Sequence, residues 1–228
     1  MPDSLRLAVF DVDGTLIDSQ HNIVEAMSAA CRAHGVEVPR PEAVRRIIGL
    51  SLVEAVAALL PGHEAERHRR IAHSYKEAFA ALRLQHERQE PLFPGAREAL
   101  AALEADGWIL GLATGKSRRG VAAMLERCGF EGIFATVQTA DDNPGKPHPG
   151  MLLRAMEAVG AEAEATVMIG DTTFDMLMAR GAGTGALGVA WGYHGVDELL
   201  EAGAELLIEE YAALPQALRE RRCALVRP

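Results

Sequence analysis

The chain has 228 residues, and its 23 Lys and Arg against 32 Asp and Glu give a formal net charge of −9 at pH 7. This length allows one large domain or a full domain with a smaller one, and 49% hydrophobic with 24% charged residues excludes wholesale disorder and fibrous proteins. The negative balance argues against nucleic acids and acidic membrane surfaces as partners, because no basic face of the required size is available, and taken alone it also disfavours an anionic substrate.

The apolar run at the beginning of the chain, residues 7–10, is short and ends at Asp11 and Asp13. Neither a signal peptide nor a transmembrane helix fits this pattern. The three cysteines are far apart and form no CxxC pair, which is typical of a reducing compartment. We therefore expect a cytoplasmic protein with no membrane partner.

Residues 5–10 are rich in strand-forming residues and predict a buried strand. The polar cluster Asp-Val-Asp-Gly-Thr at 11–15 follows it, so that Asp11 and Asp13 lie at the carboxyl end of the strand. Paired carboxylates suit a nucleophile and a general acid/base, and Gly14 would let backbone N–H groups approach an anion. A strand-to-loop Asx turn is the structural alternative.

Residues 17–90, called here the helical insert, show only helical patterns broken at glycines and prolines. From about residue 94 onward, helical stripes alternate with short apolar strands at 108–113, 133–138, 166–169 and 187–190. Such alternation predicts an α/β domain with a doubly wound parallel sheet. We therefore expect a core domain of residues 1–16 and 91–228, with the insert as a small α-helical domain.

Polar residues also follow the second predicted strand and fill a later loop. Thr114, Gly115 and Lys116 precede a helix, where a hydroxyl and free amides can bind an anion, although a helix N-cap is the simpler interpretation of these residues alone. Lys146 lies in a proline-rich loop, residues 142–149, which limits where its ammonium can point. That setting favours a positioned charge over a solvated lysine.

The strand predicted at 166–169 ends at Asp171, and Asp175 lies one helical turn further on. As structural residues they would be an N-cap and a favourable partner for the helix dipole. In open α/β sheets, however, ligands bind beyond the carboxyl ends of the strands. Added carboxylates near Asp11 would make a hard-cation site of the kind that Mg²⁺ prefers.

Together the four clusters resemble the motifs of the haloacid dehalogenase superfamily of phosphohydrolases. Residues 11–16 are similar to its first motif, Thr114 to the second, Lys146 to the third, and Asp171 with Asp175 to the fourth. The similarity runs from residue 5 to about 193. A helical insert directly after the first motif resembles the mobile cap of the subfamily that contains phosphoglycolate phosphatases. The resemblance implies a Rossmann-like core with an inserted helical cap.

The resemblance also implies a reaction, the hydrolysis of a phosphomonoester through an aspartyl-phosphate on Asp11. Asp13 would protonate the leaving oxygen and later activate water, which requires a protonated Asp13 beside an ionised Asp11. Mg²⁺ would be held by Asp11, the Asp13 carbonyl and Asp171, with Asp175 favoured behind these ligands. The Mg²⁺ charge would offset the carboxylates and let a net-acidic protein bind phosphate.

Other residues would hold the substrate in this scheme. Lys146 would neutralise the nucleophile and phosphate, while Thr114 and the amides near Gly14 and Gly115 would hold phosphate oxygens. Lys116 is also expected to bind the substrate. Substrate choice would lie in a loop of the insert, with Arg118 approaching from the core; the loop residues are Arg45, Arg46, Gly49, Leu50 and Ser51. An arginine there would suit a carboxylate such as that of phosphoglycolate, although solvated surface arginines are an equal alternative. We expect a small phosphorylated metabolite as the ligand and a monomer or homodimer.

Five other functions are considered. A GxGxxG pattern at 183–188 follows a predicted helix and precedes a strand, which is the wrong context for a dinucleotide site, so we expect these glycines to end a helix. A dehalogenase of the same superfamily would need neither Asp13 nor the full acidic fourth motif. A phosphomutase or a pyrophosphatase is a closer rival, and an inactive phosphate-binding or interaction module remains the alternative outside enzymes.

Overall fold

A parallel sheet of six strands, in the order β3-β2-β1-β4-β5-β6, forms the centre of the computed structural model, which describes residues 5–84 and 90–225, with side chains described up to residue 220. The strands are β1 (Arg6–Phe10), β2 (Trp108–Thr114), β3 (Thr136–Thr139), β4 (Thr166–Gly170), β5 (Gly185–Val189) and β6 (Leu206–Ile208). β1 lies between β2 and β4 and is parallel to both. The carboxyl ends of these three strands therefore meet at one edge of the sheet.

Helices cover both faces of this sheet: α5 (Ala96–Ala105), α6 (Arg118–Cys128), α7 (Gly150–Val159), α8 (Thr173–Ala182), α9 (Val196–Ala202) and α10 (Leu214–Leu225). Alternate residues of β1 enter two separate apolar clusters, with Ala8 and Phe10 in one and Leu7 and Val9 in the other. This two-sided burial explains why β1 is apolar without interruption. The predicted doubly wound α/β class is confirmed.

Four helices of the helical insert lie between β1 and α5: α1 (Gln20–Ala33), α2 (Pro41–Arg45), α3 (Leu52–Leu59) and α4 (Ala65–Arg83). They share an apolar cluster of their own that includes Met27, Val56 and Ile71. Residues 85–89, near the predicted end of the insert, lie outside the described residues, and the domain boundaries stay a prediction. Within the described ranges, no helix has the length and apolarity that crossing a membrane requires.

The strand boundaries differ from the sequence prediction in the third strand, which begins at Thr136 and not at residue 133. Phe134 before it is buried in the apolar cluster next to β2, so an apolar side chain there reflects core packing outside the strand. β6, α9 and α10 were not predicted. β6 has only three residues, which is too few to show a periodicity. Gly183 ends α8 as expected, at φ 70°, whereas Gly185 and Gly188 lie in β5, which begins two residues before the predicted strand.

Candidate active site at the carboxyl ends of the strands

Three buried carboxylates meet where β1 and β4 end. Asp11 follows β1, Asp171 follows β4, and Asp175 lies in the first turn of α8. One oxygen from each carboxylate lies within 4.8 Å of the other two. The parallel pairing of β1 with β4 accounts for this, because the Asp11 amide donates to the Ile169 carbonyl at 2.9 Å and so continues the ladder beyond β1.

The Lys146 ammonium lies among these carboxylates. Its Nζ is 2.6 Å from Asp175 Oδ1 and 3.0 Å from Asp11 Oδ1, and its side chain is fully buried. Burial alone would lower the pKa of Lys146, but Asp11 and Asp175 outweigh it and raise the pKa above its ordinary value. The proline-rich loop therefore delivers a permanent positive charge to Asp11.

Negative charge still exceeds positive charge in this cluster. Burial raises the pKa of Asp11 to about 7, with Lys146 opposing the shift and Asp175 and Asp13 adding to it. Burial, Asp11 and Asp175 likewise hold the pKa of Asp171 well above its usual range. Asp11 Oδ2 is buried and has no hydrogen-bond partner among the described residues. An orphaned carboxylate oxygen, two further carboxylates and excess negative charge fit a hard divalent cation such as Mg²⁺.

Asp171 is held in place by neighbours that leave little space. Thr15 Oγ1 donates to its Oδ1 at 2.8 Å, and the Tyr193 amide donates to its Oδ2 at 3.0 Å. Gly14 has φ +89°, and a Cβ there would lie 2.2 Å from Asp171 Oδ2, so only glycine fits. The Gly14 amide donates to the Ile17 carbonyl at 2.9 Å. The turn therefore uses the amide of Gly14 itself, and the approach of neighbouring amides to an anion stays a prediction.

Asp175 has both a structural contact and a contact within the charged cluster. Its Oδ2 accepts from the Thr172 amide at 3.0 Å and from the Thr172 hydroxyl at 2.7 Å, which caps α8. Its Oδ1 faces Lys146. The capping interpretation and the charged-site interpretation therefore describe different oxygens of the same carboxylate.

Asp13 is buried beside the cluster, with partners of its own. Its Oδ1 accepts from Ser19 Oγ at 2.6 Å and from Lys116 Nζ at 2.7 Å. Burial would raise the pKa of Asp13, but Lys116 and Ser19 outweigh it and lower the pKa below 3.8. The two shifts run opposite to the expected order, since the pKa of Asp11 is raised and that of Asp13 is lowered. The reason is that Lys116 serves Asp13, whereas Asp11 shares Lys146 with Asp175 and lies near two other carboxylates.

Ser19 and Tyr193 were not predicted as site residues. Ser19 directly precedes α1, and a serine there predicts a helix cap. Its side chain makes no cap hydrogen bond and contacts Asp13 instead. Tyr193 contacts Asp171 through its backbone, which no side-chain pattern reveals. The sequence signal was thus present for Ser19 but favoured the wrong contact.

A cavity of about 600 Å³ opens between this site and the helical insert. Its wall includes the predicted residues Asp11, Asp13, Ser51, Thr114, Gly115 and Lys116. A Cβ on Gly115 would lie 2.5 Å from the Leu50 carbonyl oxygen. A loop of the insert therefore lies directly against the phosphate-binding segment predicted from the sequence.

Two predicted residues in the insert have other partners. Arg45 is not among the described residues of the cavity wall, and its guanidinium contacts Gln20 Oε1 at 2.8 Å and Glu42 at 3.5 Å. Neither contact directs Arg45 into the cavity, and its expected role at the substrate stays a prediction. Ser51 does line the cavity, but its hydroxyl donates to Glu54 at 2.6 Å.

Comparison with known proteins places these features in a family. A family model described as haloacid dehalogenase-like hydrolase matches residues 8–189. The chain is 39% identical to "Probable phosphatase IndB" of Dickeya dadantii, over 90% of each chain. It is 28% identical to a phosphoglycolate phosphatase of Agrobacterium fabrum, over 94% of this chain and 93% of that one. A hydrolase from Pseudomonas syringae has a similar structure, with a TM-score of 0.84, 29% identity and coverage of 94% and 98%.

Proposed function

The chain belongs to the haloacid dehalogenase-like hydrolase family and is a phosphoric monoester hydrolase, and from this premise we propose that it releases phosphate from small phosphorylated metabolites in a Mg²⁺-dependent reaction. The observation that carries the proposal is the buried Asp11 carboxylate, paired with Lys146 and close to Asp171. It combines a nucleophile with the charges that an approaching phosphate dianion needs.

Asp11 is the proposed nucleophile, which attacks phosphorus and forms an aspartyl-phosphate. Lys146 Nζ, 3.0 Å from Asp11 Oδ1, reduces repulsion between the two anions. Asp11 and Asp171, with the Asp13 carbonyl, would hold Mg²⁺, which supplies further positive charge at the phosphate oxygens. Asp175 is proposed to act from behind these ligands, because Lys146 and Thr172 already occupy its two oxygens.

Asp13 is the proposed general acid and base. Ser19 and Lys116 fix its carboxyl group at the edge of the cavity. Because they also lower its pKa, Asp13 would have to take up a proton as the phosphate binds; it would then protonate the leaving oxygen and later take a proton from water. Thr114 and Gly115, ahead of α6, are proposed to bind phosphate oxygens together with the Lys116 ammonium. Phosphoglycolate is the first compound to test, because several relatives carry that name.

This proposal is tested by measuring the rate of phosphate release with Mg²⁺, with excess chelator, and in the variant Asp11→Asn. We expect chelation to abolish turnover and Asp11→Asn to lower it roughly a thousandfold or more, since a nucleophile is removed. Circular dichroism should show that the variant keeps its fold. Equal rates with chelator would refute the metal role, and retained turnover in Asp11→Asn would refute the nucleophile.

A further inference from the structure

The wall that the helical insert contributes to the cavity is largely apolar. Its side chains include Ile23, Met27, Ile48, Leu52, Tyr75 and Phe79. Met27 and Ile48 are already buried, whereas Leu52 and Tyr75 are half-buried, so part of this wall is still open to a ligand. An apolar wall gains free energy when a ligand covers it with apolar atoms.

An aromatic pair brings this wall close to the reacting end of the site. The rings of Tyr75 and Phe79 are stacked, with centroids 5.6 Å apart and an angle of 27° between their planes. The Lys116 ammonium lies 5.0 Å from the Phe79 centroid and 2.7 Å from Asp13 Oδ1. The part of a substrate next to the oxygen that Asp13 protonates would therefore lie close to this aromatic pair.

The charges on the insert side of the wall already have carboxylate partners, of which those of Arg69 and Lys76 are exposed and weak. Within the part of the chain that the structure describes, each such cation has a carboxylate partner: Arg69 with Glu66 at 2.7 Å, Lys76 with Asp141 at 3.7 Å and Arg83 with Glu90 at 3.3 Å. Arg83 also lies over the Phe79 ring. A second acidic group on the substrate would have to displace one of these pairs or contact Arg119 of α6, which also lines the cavity.

From this wall we propose that the substrate is a phosphomonoester whose alcohol part carries an apolar or aromatic ring, in preference to the two-carbon acid of phosphoglycolate. The inference rests on the proposed function for the position of the phosphate. A cavity of about 600 Å³ is in the range that holds drug-sized ligands. A two-carbon leaving group would leave the open part of the wall uncovered, whereas a ring would pack against Tyr75 and Leu52.

The test compares kcat/KM for 2-phenylethyl phosphate, ethyl phosphate and phosphoglycolate, each with Mg²⁺. Phenylethyl and ethyl alcohols are leaving groups of similar basicity, so their ratio measures what the ring gains by binding. We expect 2-phenylethyl phosphate to exceed ethyl phosphate at least tenfold and to exceed phosphoglycolate. The inference is overturned if the ring brings no gain or if phosphoglycolate is hydrolysed as well as the ring compound.

Phe79→Leu tests whether the aromatic pair supplies this gain. We expect the ratio of 2-phenylethyl to ethyl phosphate to fall several-fold, with the ethyl phosphate rate retained. Leu84→Ala is the matched control, since Leu84 is 86% exposed just after α4 and lies away from the cavity. It should leave the ratio unchanged. An unchanged ratio in Phe79→Leu would overturn the assignment of the ring to this wall.

Binding of phosphonates separates this inference from the proposed function. If no ester releases phosphate, the proposed function fails, but calorimetry with 2-phenylethylphosphonate and ethylphosphonate still tests the ring site without turnover. We expect the ring compound to bind at least tenfold more tightly. Equal affinities would overturn the inference even if ethyl phosphate were hydrolysed.

Discussion

Lys146 balances the charge of the buried carboxylates, and its removal should show how much the fold depends on it. Lys146→Met would leave Asp11 and Asp175 without their ammonium partner. Removing one partner of a buried ion pair costs about 3–5 kcal/mol, so we expect a loss of about that size in the free energy of unfolding, measured by urea denaturation.

Lys76→Met is the control for the lysine substitution. The Lys76–Asp141 pair is exposed, with side chains 54% and 41% accessible, and such pairs contribute less than about 1 kcal/mol. Equal losses in the two variants would contradict the view that Lys146 stabilises a buried charge cluster.

The sequence predicted which residues gather at the site better than it predicted their protonation. Asp11 and Asp171 follow adjacent parallel strands, so their meeting follows from topology. The partner of Asp13 depends on the conformation of the Lys116 side chain, whose Nζ lies 2.7 Å from Asp13 Oδ1. Side-chain conformation of that kind is decided by packing, and no spacing in the sequence encodes it.

At the scale of elements, the contact between the insert loop and the segment after β2 is a sharp steric constraint. In Gly115→Ala the new Cβ would lie 2.5 Å from the Leu50 carbonyl oxygen. Overpacking of this kind costs about 1–3 kcal/mol, and we expect kcat/KM to fall at least tenfold as the loop shifts. Gly62→Ala, where nothing lies within 4 Å, should keep its activity. Unchanged kcat/KM in Gly115→Ala would contradict this packing.

An ion pair joins the helical insert to α9 of the core. Arg46 donates to both Glu198 oxygens, at 2.5 and 2.6 Å. These hydrogen bonds, together with one from the Gly195 amide, lower the pKa of Glu198 from 4.5 to about 2. Because the folded pKa is the lower one, the stabilisation is fully present above pH 4.5 and is lost as the pH falls through about 2.

Arg46→Gln should therefore raise the pKa of Glu198 towards 4.5, as followed by NMR titration of its carboxyl carbon. Arg40→Gln, at the exposed start of α2, removes the same charge elsewhere and should leave the Glu198 titration unaltered. A Glu198 pKa that is the same in wild type and Arg46→Gln would show that the pair is absent in solution.

Arg45 and Arg46, at the end of α2, show why prediction succeeded less well in the insert than in the sheet. Helix periodicity marked the insert as helical, and α1 to α4 are there. It could not distinguish Arg45, which turns to Gln20, from Arg46, which reaches Glu198. The two arginines are adjacent at the end of the short helix α2, and their side chains point in different directions. Which of them contacts the core depends on how the insert packs against it.

At the scale of the whole molecule, the net charge of −9 leads us to expect that a bound cation stabilises the folded protein. A ligand that binds only the folded state stabilises it by about 2.7 kcal/mol at one hundred times its Kd. We expect Mg²⁺ to raise the Tm of the wild type, and Asp171→Asn to remove most of that rise. The Tm is measured by calorimetry at constant ionic strength.

Asp197→Asn, an exposed carboxylate in α9, makes the same charge change away from the cluster and serves as the control. Its Tm should respond to Mg²⁺ as the wild type does. If Asp171→Asn kept the full response, the cation would be bound elsewhere, and the buried carboxylates would have a different role.

Covalent trapping tests the central claim, that Asp11 is the nucleophile of a phosphatase. Wild-type protein is mixed with Mg²⁺ and 2-phenylethyl phosphate or phosphoglycolate, quenched in acid, digested and analysed by mass spectrometry. The account predicts a phosphoryl group on the peptide that contains Asp11, on that aspartate, and none in Asp11→Asn. Phosphate release without any adduct on Asp11, or an adduct that persists in Asp11→Asn, would contradict it.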